Sequence, residues 1–180
     1  MANGTLKVEN IQTSSGSGTI TLGQSGETIA LGATTNNLLT PYFQINLNAS
    51  QTISDATHTV IQFDTVDYDT GSYWDSSNYR WKPLIAGKYL IYYGIKVQHA
   101  STTNLSRNIV RFQKNGSRID NRFSDLMTTS VQQISTHSEV LITDMNGSTD
   151  YLDVTAYGDT SDSTSPLVGA KSTFGAYRLV

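Results

Sequence analysis

The 180-residue chain has room for one domain plus an appendage, because a single core usually organises about 100 to 150 residues. Its 12 basic and 15 acidic residues leave a formal charge of −3, so it lacks the field that draws proteins to nucleic acid, and DNA and RNA are excluded as expected partners. Cysteine is absent, which removes disulfides and thiolate metal sites, and the chain must be held by packing and association.

Neither a basic-then-apolar leader nor a stretch of ~18 apolar residues occurs, so neither signal-peptide secretion nor membrane insertion is expected. Only 15% of residues are charged, while Ser, Thr, Asn and Gly abound. That composition suits a β protein with hydroxylic outer faces, as in secreted or virion proteins.

Residues 1–40 contain three charged residues (Lys7, Glu9, Glu27), no aromatic one, and much Gly, Ser and Thr. Composition alone reads as a flexible tether. A short alternating phrase reads otherwise: Gly4-Thr5-Leu6-Lys7-Val8, then Gly18-Thr19-Ile20-Thr21-Leu22-Gly23, then Glu27-Thr28-Ile29-Ala30-Leu31-Gly32. In each copy the apolar side chains fall two apart and share a strand face. One such arm cannot make a core, whereas arms of several chains stacked together can cover one another. Leu6, Val8, Ile20, Leu22, Ile29 and Leu31 are therefore the expected docking residues of a β arm.

Pro41 ends the arm, and residues 41–180 read as a head of successive strands. Phe43, Ile45 and Leu47 alternate, as do Ile61 and Phe63. The longest run places Tyr89, Ile91, Tyr93, Ile95 and Val97 on one face and Leu90, Tyr92 and Lys96 on the other. Val110 and Phe112 lead to Asn115-Gly116, a dipeptide suited to the two positive φ angles of a hairpin turn. Met127, Val131 and Ile134 have helical spacing, but the surrounding Thr and Ser favour extended chain. Val140 and Ile142 precede a second expected turn at Asn146-Gly147, after which Leu152, Val154 and Ala156 alternate. The last strand sets Phe174, Ala176 and Val180 against Tyr177 and Leu179. Seven or more strands without a strong helix predict an all-β sandwich.

Four phrases in order carry a resemblance. Phe63-Asp64-Thr65-Val66 is followed by an acidic, aromatic loop, and then by Tyr79-Arg80-Trp81-Lys82-Pro83-Leu84-Ile85-Ala86-Gly87-Lys88-Tyr89-Leu90. This stretch resembles the signature of the globular heads of the complement-collagen and tumour necrosis factor superfamily. Lys114-Asn115-Gly116 is similar to that family's hairpin, and Ser172-Thr173-Phe174-Gly175-Ala176-Tyr177 to its closing strand, with Ala176 where a second Gly is usual.

The resemblance implies an antiparallel jelly roll of about ten strands that forms homotrimers, with one sheet face meeting near the threefold axis. Tyr89, Ile91, Tyr93, Tyr151, Tyr157 and Tyr177 are the expected interface residues, since Tyr buries a large ring yet keeps a hydroxyl. Gln12-Thr13-Ser14-Ser15-Gly16-Ser17-Gly18-Thr19-Ile20-Thr21-Leu22-Gly23 resembles N-terminal segments of marine phage structural proteins, which implies other virion proteins as partners of the arm.

For catalysis no nucleophile with a positioned base emerges, and no enzyme is expected. His58, His99 and His137 are scattered and read as surface or edge residues. Asp64, Asp67 and Asp69, oxygen ligands close in sequence, are a candidate calcium site, though the spacing of a calcium loop is absent. Tyr68, Tyr73, Trp74 and Tyr79 are the candidate glycan or receptor site, because exposed aromatic rings on a loop stack on sugar faces. Trp74 is placed equally well at the trimer seam, and Trp81 is expected in the core. The expected function is a phage virion surface protein, assembled in the host cytoplasm, serving as fibre or spike tip or as capsid decoration with host-glycan contact. The alternatives are a free lectin-like or ligand-like trimer and, more remotely, a glycan depolymerase.

Overall fold

The structure, a computed structural model, describes residues 41–101, 103–119 and 124–179, with only the backbone described over 124–131. The chain divides into two units, Met1–Leu38 and Leu39–Val180, and every described residue belongs to the second. The expected arm, with Leu6, Val8, Ile20, Leu22, Ile29 and Leu31, lies outside the described residues.

In chain order the strands are β1 (Tyr42–Asn46), β2 (Gln51–Thr52), β3 (Thr59–Val60), β4 (Thr65–Asp69), β5 (Trp74–Asp75), β6 (Arg80–Trp81) and β7 (Gly87–Gln98). They continue with β8 (Leu105–Lys114), β9 (Ser117–Arg118), β10 (Ser124–Gln132), β11 (Ile134–Met145), β12 (Leu152–Thr160), β13 (Leu167–Val168) and β14 (Thr173–Arg178). All pairings are antiparallel, and no helix occurs among the described residues. The first sheet runs β4-β1-β14-β7-β11, with β13 and then β2 beside the far end of β7. The second runs β10-β8-β12-β6-β5, with β3 on β12 and β9 on β8. Extended chain wins over the helical spacing of Met127, Val131 and Ile134, which fall on β10 and β11.

Alternation along these strands produces the core. Phe43, Ile45, Ile91, Ile95, Val97, Phe174 and Ala176 from the first sheet meet Trp81, Val110, Phe112, Leu152, Val154 and Ala156 from the second. An aromatic chain ties the layers together. Phe43 stacks on Trp81 with ring centres 5.2 Å apart and meets Phe174 edge-on at 5.3 Å, while Phe112 lies 4.6 Å from Tyr93. Trp81 is wholly buried, as its place in the sequence signature implied.

The two Asn-Gly dipeptides behave differently. Asn115 and Gly116 both take positive φ (54° and 75°) and close the tight β8–β9 hairpin. Asn146-Gly147 is not a two-residue hairpin turn, and this corrects the expectation. β11 belongs to the first sheet and β12 to the second. Packed sheets stand about 10 Å apart, too far for such a turn. Instead Asn146 Oδ1 accepts from the backbone N–H groups of Ser148, Thr149 and Asp150, each at 3.0 Å, and folds a longer crossing loop. Gly147 is required there: a Cβ would stand 2.3 Å from the backbone nitrogen of Ala86.

Candidate functional site

The outer face of the first sheet follows from the same alternation. Because Phe43, Ile45, Ile91, Tyr93, Phe174 and Ala176 point inward, their strand neighbours point out. Register places them in rows. One row runs Tyr42, Tyr177, Leu90, Ile142; the next runs Tyr68, Gln44, Gly175, Tyr92, Val140. A third holds Thr65, Asn46, Thr173, Gly94 and Ser138, and beyond it lie Lys96 and Thr136. Polarity thus changes along the sheet, from aromatic and aliphatic at one end to lysine and hydroxyl at the other.

The aromatic end is organised. Gln44 Oε1 accepts from the hydroxyls of Tyr92 (2.7 Å) and Tyr68 (3.0 Å), while Gln44 Nε2 donates to Asp67 Oδ2 at 2.6 Å. Tyr42 meets Tyr68 edge-on at 5.3 Å. Tyr92 lies flat across Gly175, where a Cβ would come within 2.3 Å of its ring. Burial, followed by its contact with Tyr68 and the nearby Asp67 charge, raises the Tyr92 pKa well above the phenol range, so its hydroxyl stays a donor. Tyr42, Phe43, Tyr68, Tyr92, Ala176 and Tyr177 line a shallow groove of about 400 Å³. Tyr42, Tyr68 and Tyr177 are 39%, 42% and 48% exposed, and Val140 and Ile142 more so. This run of exposed apolar side chains sets the tyrosine end apart from the lysine and hydroxyl end of the same sheet.

The expected interface set divides accordingly. Tyr177 lies on this face. Tyr89, Ile91 and Tyr93 are at most 2% exposed, between the sheets, where no partner chain reaches them. The outward side of β7 is the Leu90–Tyr92–Lys96 side, since the sandwich buries the face with the longer apolar run. Tyr151 and Tyr157 belong to the second sheet's side, beneath the guanidinium groups of Arg80 and Arg107.

The candidate glycan residues do not assemble into one surface. Tyr68 is on the tyrosine face. Tyr73 and Trp74 pack against the core, Trp74 stacking on Phe43 at 5.5 Å, so Trp74 is neither a recognition tip nor on the tyrosine face. Tyr79, with φ of 53°, closes the β5–β6 turn. The turn is held by Asp75, which accepts from Ser77 N, Asn78 N, Asn78 Nδ2 and Arg80 Nε. Those bonds, Asn78 first, draw the Asp75 pKa down.

The three candidate calcium ligands turn to separate protein donors. Asp64 accepts from Asn48 N, Asp67 from Gln44 and Asn46, and Asp69 from Trp74 N. Among the described residues no group of three or more His, Asp or Glu side chains converges as a metal site. Two histidines also depart from expectation. His99 and His137 are buried, His99 beside Asp162 (3.3 Å) and His137 bonded to Asn108 and Ser135. Polar residues on the inward face of β11 conceal that direction from a reading by hydrophobic period.

The geometry agrees with solved structures at low sequence identity. The globular domain of zebrafish complement 1qA protein superposes with a TM-score of 0.58 over 79% of this chain and 98% of that one, at 11% identity. Murine APRIL, in a crystal structure at pH 5.0, gives 0.53 over 78% of this chain and all of that one, at 12% identity. The head shares the jelly-roll fold of these two structures. No protein-family profile and no curated protein matches the sequence. At such identity the likeness is one of fold, and what the surfaces do must be argued from the side chains they carry.

Proposed function

We propose that the chain is a non-catalytic surface head that associates as a homotrimer through the tyrosine face of its first sheet. The observation that carries this reading is the contiguous, exposed patch of Tyr42, Tyr68, Tyr177, Val140 and Ile142. Tyr is the residue type that associating surfaces favour, because the ring is buried while the hydroxyl finds a partner or water. The hydroxyls of Tyr68 and Tyr92 are already held by Gln44, so part of the ordering cost of association is met within the protomer.

In this reading the trimer is a virion surface component, a fibre or spike tip or a capsid decoration, assembled in the host cytoplasm and attached to other virion proteins through residues 1–40. Support comes from the alternating phrase and its likeness to phage structural segments. Three identical heads would make weak contacts to a host surface effective through avidity.

Sedimentation of the full chain tests the association. The expected mass is that of three protomers, reduced to one by Tyr42→Asp with Tyr177→Asp; a wild-type monomer at micromolar concentration overturns the proposal. Imaging of intact particles carrying the protein tests the setting. Ile20→Asp with Leu22→Asp is expected to leave the trimer intact and empty its position on the particle. Unchanged occupancy sinks the docking role of the arm.

A further inference from the structure

The outer face of the second sheet has a different chemistry. Leu152, Val154 and Ala156 of β12, with Val110 and Phe112 of β8, enter the core, so the intervening residues lie on the opposite side of the sheet, where Asp153 and Thr155 are themselves covered, at 6% and 3% exposed. Register sets Gln113 beside Asp153, Arg111 beside Thr155, Ile109 beside Tyr157 and Arg107 beside Asp159. Arg118 of β9 lies beside Gln113, and Arg80 precedes Trp81, the β6 partner of Leu152. Four of the five arginines among the described residues therefore share one face of a chain whose formal charge is −3.

These guanidinium groups are held in place. Arg111 Nε donates to His58 Nδ1 at 3.1 Å, His58 lies on Tyr157 at 4.9 Å, and the Arg107 guanidinium is 5.8 Å from the same ring. Arg80 sits 4.6 Å over Tyr151 and pairs with Asp75 at 3.2 Å. Arg107, Arg111 and Arg118 each make a further interaction within the chain. The positive field is felt locally: partial burial and then the charges of Arg111, Arg107 and Arg118 push the His58 pKa down to about 4. Burial raises the Asp153 pKa to about 6, so at neutral pH this carboxylate still carries its charge and offsets part of the arginines' field.

We propose that this face recognises an acidic polysaccharide, with Arg107, Arg111 and Arg118 meeting carboxylate or sulfate groups spaced along the polymer. The planar guanidinium fork pairs with such groups through two parallel hydrogen bonds. Arg107 and Arg111 stand four residues apart on β8, about 13 Å at strand rise, and Arg118 extends the track across the sheet. That spread fits a charged chain rather than one small anion. Nucleic acid fits less well. Single strands bind on open aromatic platforms, whereas Tyr151 and Tyr157 already carry Arg80, Arg107 and His58. The overall negative charge also opposes a duplex bearing one charge per ~1.7 Å more than a polysaccharide of lower charge density.

The inference supplies the ligand class for the host-surface contact of the proposed function, and the face is complete within one protomer, so the two can fail separately. The test uses the full chain in a binding assay against polygalacturonate, chondroitin sulfate, neutral dextran and single-stranded DNA, with the oligomeric state recorded for each variant. Binding of either acidic polysaccharide is expected, with dextran silent and DNA weaker. Arg111→Gln and Arg118→Gln are each expected to lower affinity about tenfold, one charge-assisted contact's worth. Arg118→Lys is expected to recover only part of the loss, and Lys88→Gln, away from this face, to change nothing. Failure of the folded wild type to bind either acidic polymer overturns the proposal, as do equal binding of dextran, preference for DNA, and equal loss in Lys88→Gln. A monomeric wild type that still binds would overturn the trimer and leave this site standing.

Discussion

The two outer faces of this sandwich are built on the same strand geometry, yet one carries tyrosines around a glutamine and the other arginines over tyrosines. On the first sheet the hydroxyls are tied inward to Gln44 and the rings are left for an apolar partner. On the second the rings lie under cations, which hold charge at the surface in defined positions. Aromatic content alone therefore does not say what a β surface does. What matters is which groups occupy the ring faces and edges.

Substitutions can break this contrast in graded ways. Trp81→Ala removes a fully buried ring that contacts Phe43 and Tyr89 and should cost about 3 to 5 kcal/mol, read from the denaturant midpoint, with both faces lost together. Gly175→Ala strikes the tyrosine face alone. Its new methyl displaces the Tyr92 ring, with a cost of about 1 to 3 kcal/mol and weakened self-association in sedimentation, while binding at the arginine face persists.

Acid titration sharpens the other side. His58 has a folded pKa near 4, below its ordinary 6.5, so it contributes a loss of stability as pH falls from 6.5 to 4. Asp153 has a folded pKa near 6, above its ordinary 3.8, so it contributes a gain as pH falls from 6 to 3.8. The two oppose each other across pH 4 to 6. His58→Gln should make stability rise more on acidification, and Asp153→Asn should make it fall more, as measured by urea unfolding at successive pH values. Asp153→Asn should also stabilise the head near pH 8 by on the order of 1 kcal/mol. At the bottom of the scale, Lys88→Ala breaks a 2.8 Å pair with Asp144 at an exposed site and should change stability by less than about 0.5 kcal/mol.

Much of the head is legible in the sequence because strands announce themselves locally. Period-two alternation places Phe43, Ile45, the Tyr89–Val97 run, Phe112, Val154 and Phe174 inside, and Asn115-Gly116 makes the turn it encodes. The site is less legible. Tyr89 and Tyr93 are chemically as suited to an interface as Tyr92 and Tyr177, and one residue of phase decides which pair is covered. The arginine face has no sequence signal at all, since Arg80, Arg107, Arg111 and Arg118 lie on three strands joined only by register.

By itself, then, the sequence determined the all-β class, the ordered jelly-roll motifs, most of the core and the Asn115-Gly116 hairpin, since each depends on neighbours a few residues apart. Tertiary structure alone decided which side of β7 faces out, that Asn146-Gly147 crosses between sheets, that His137 is buried, and that four arginines share a surface. Those outcomes depend on which strands pair and which faces stack, and that information is carried by contacts between residues far apart in the chain.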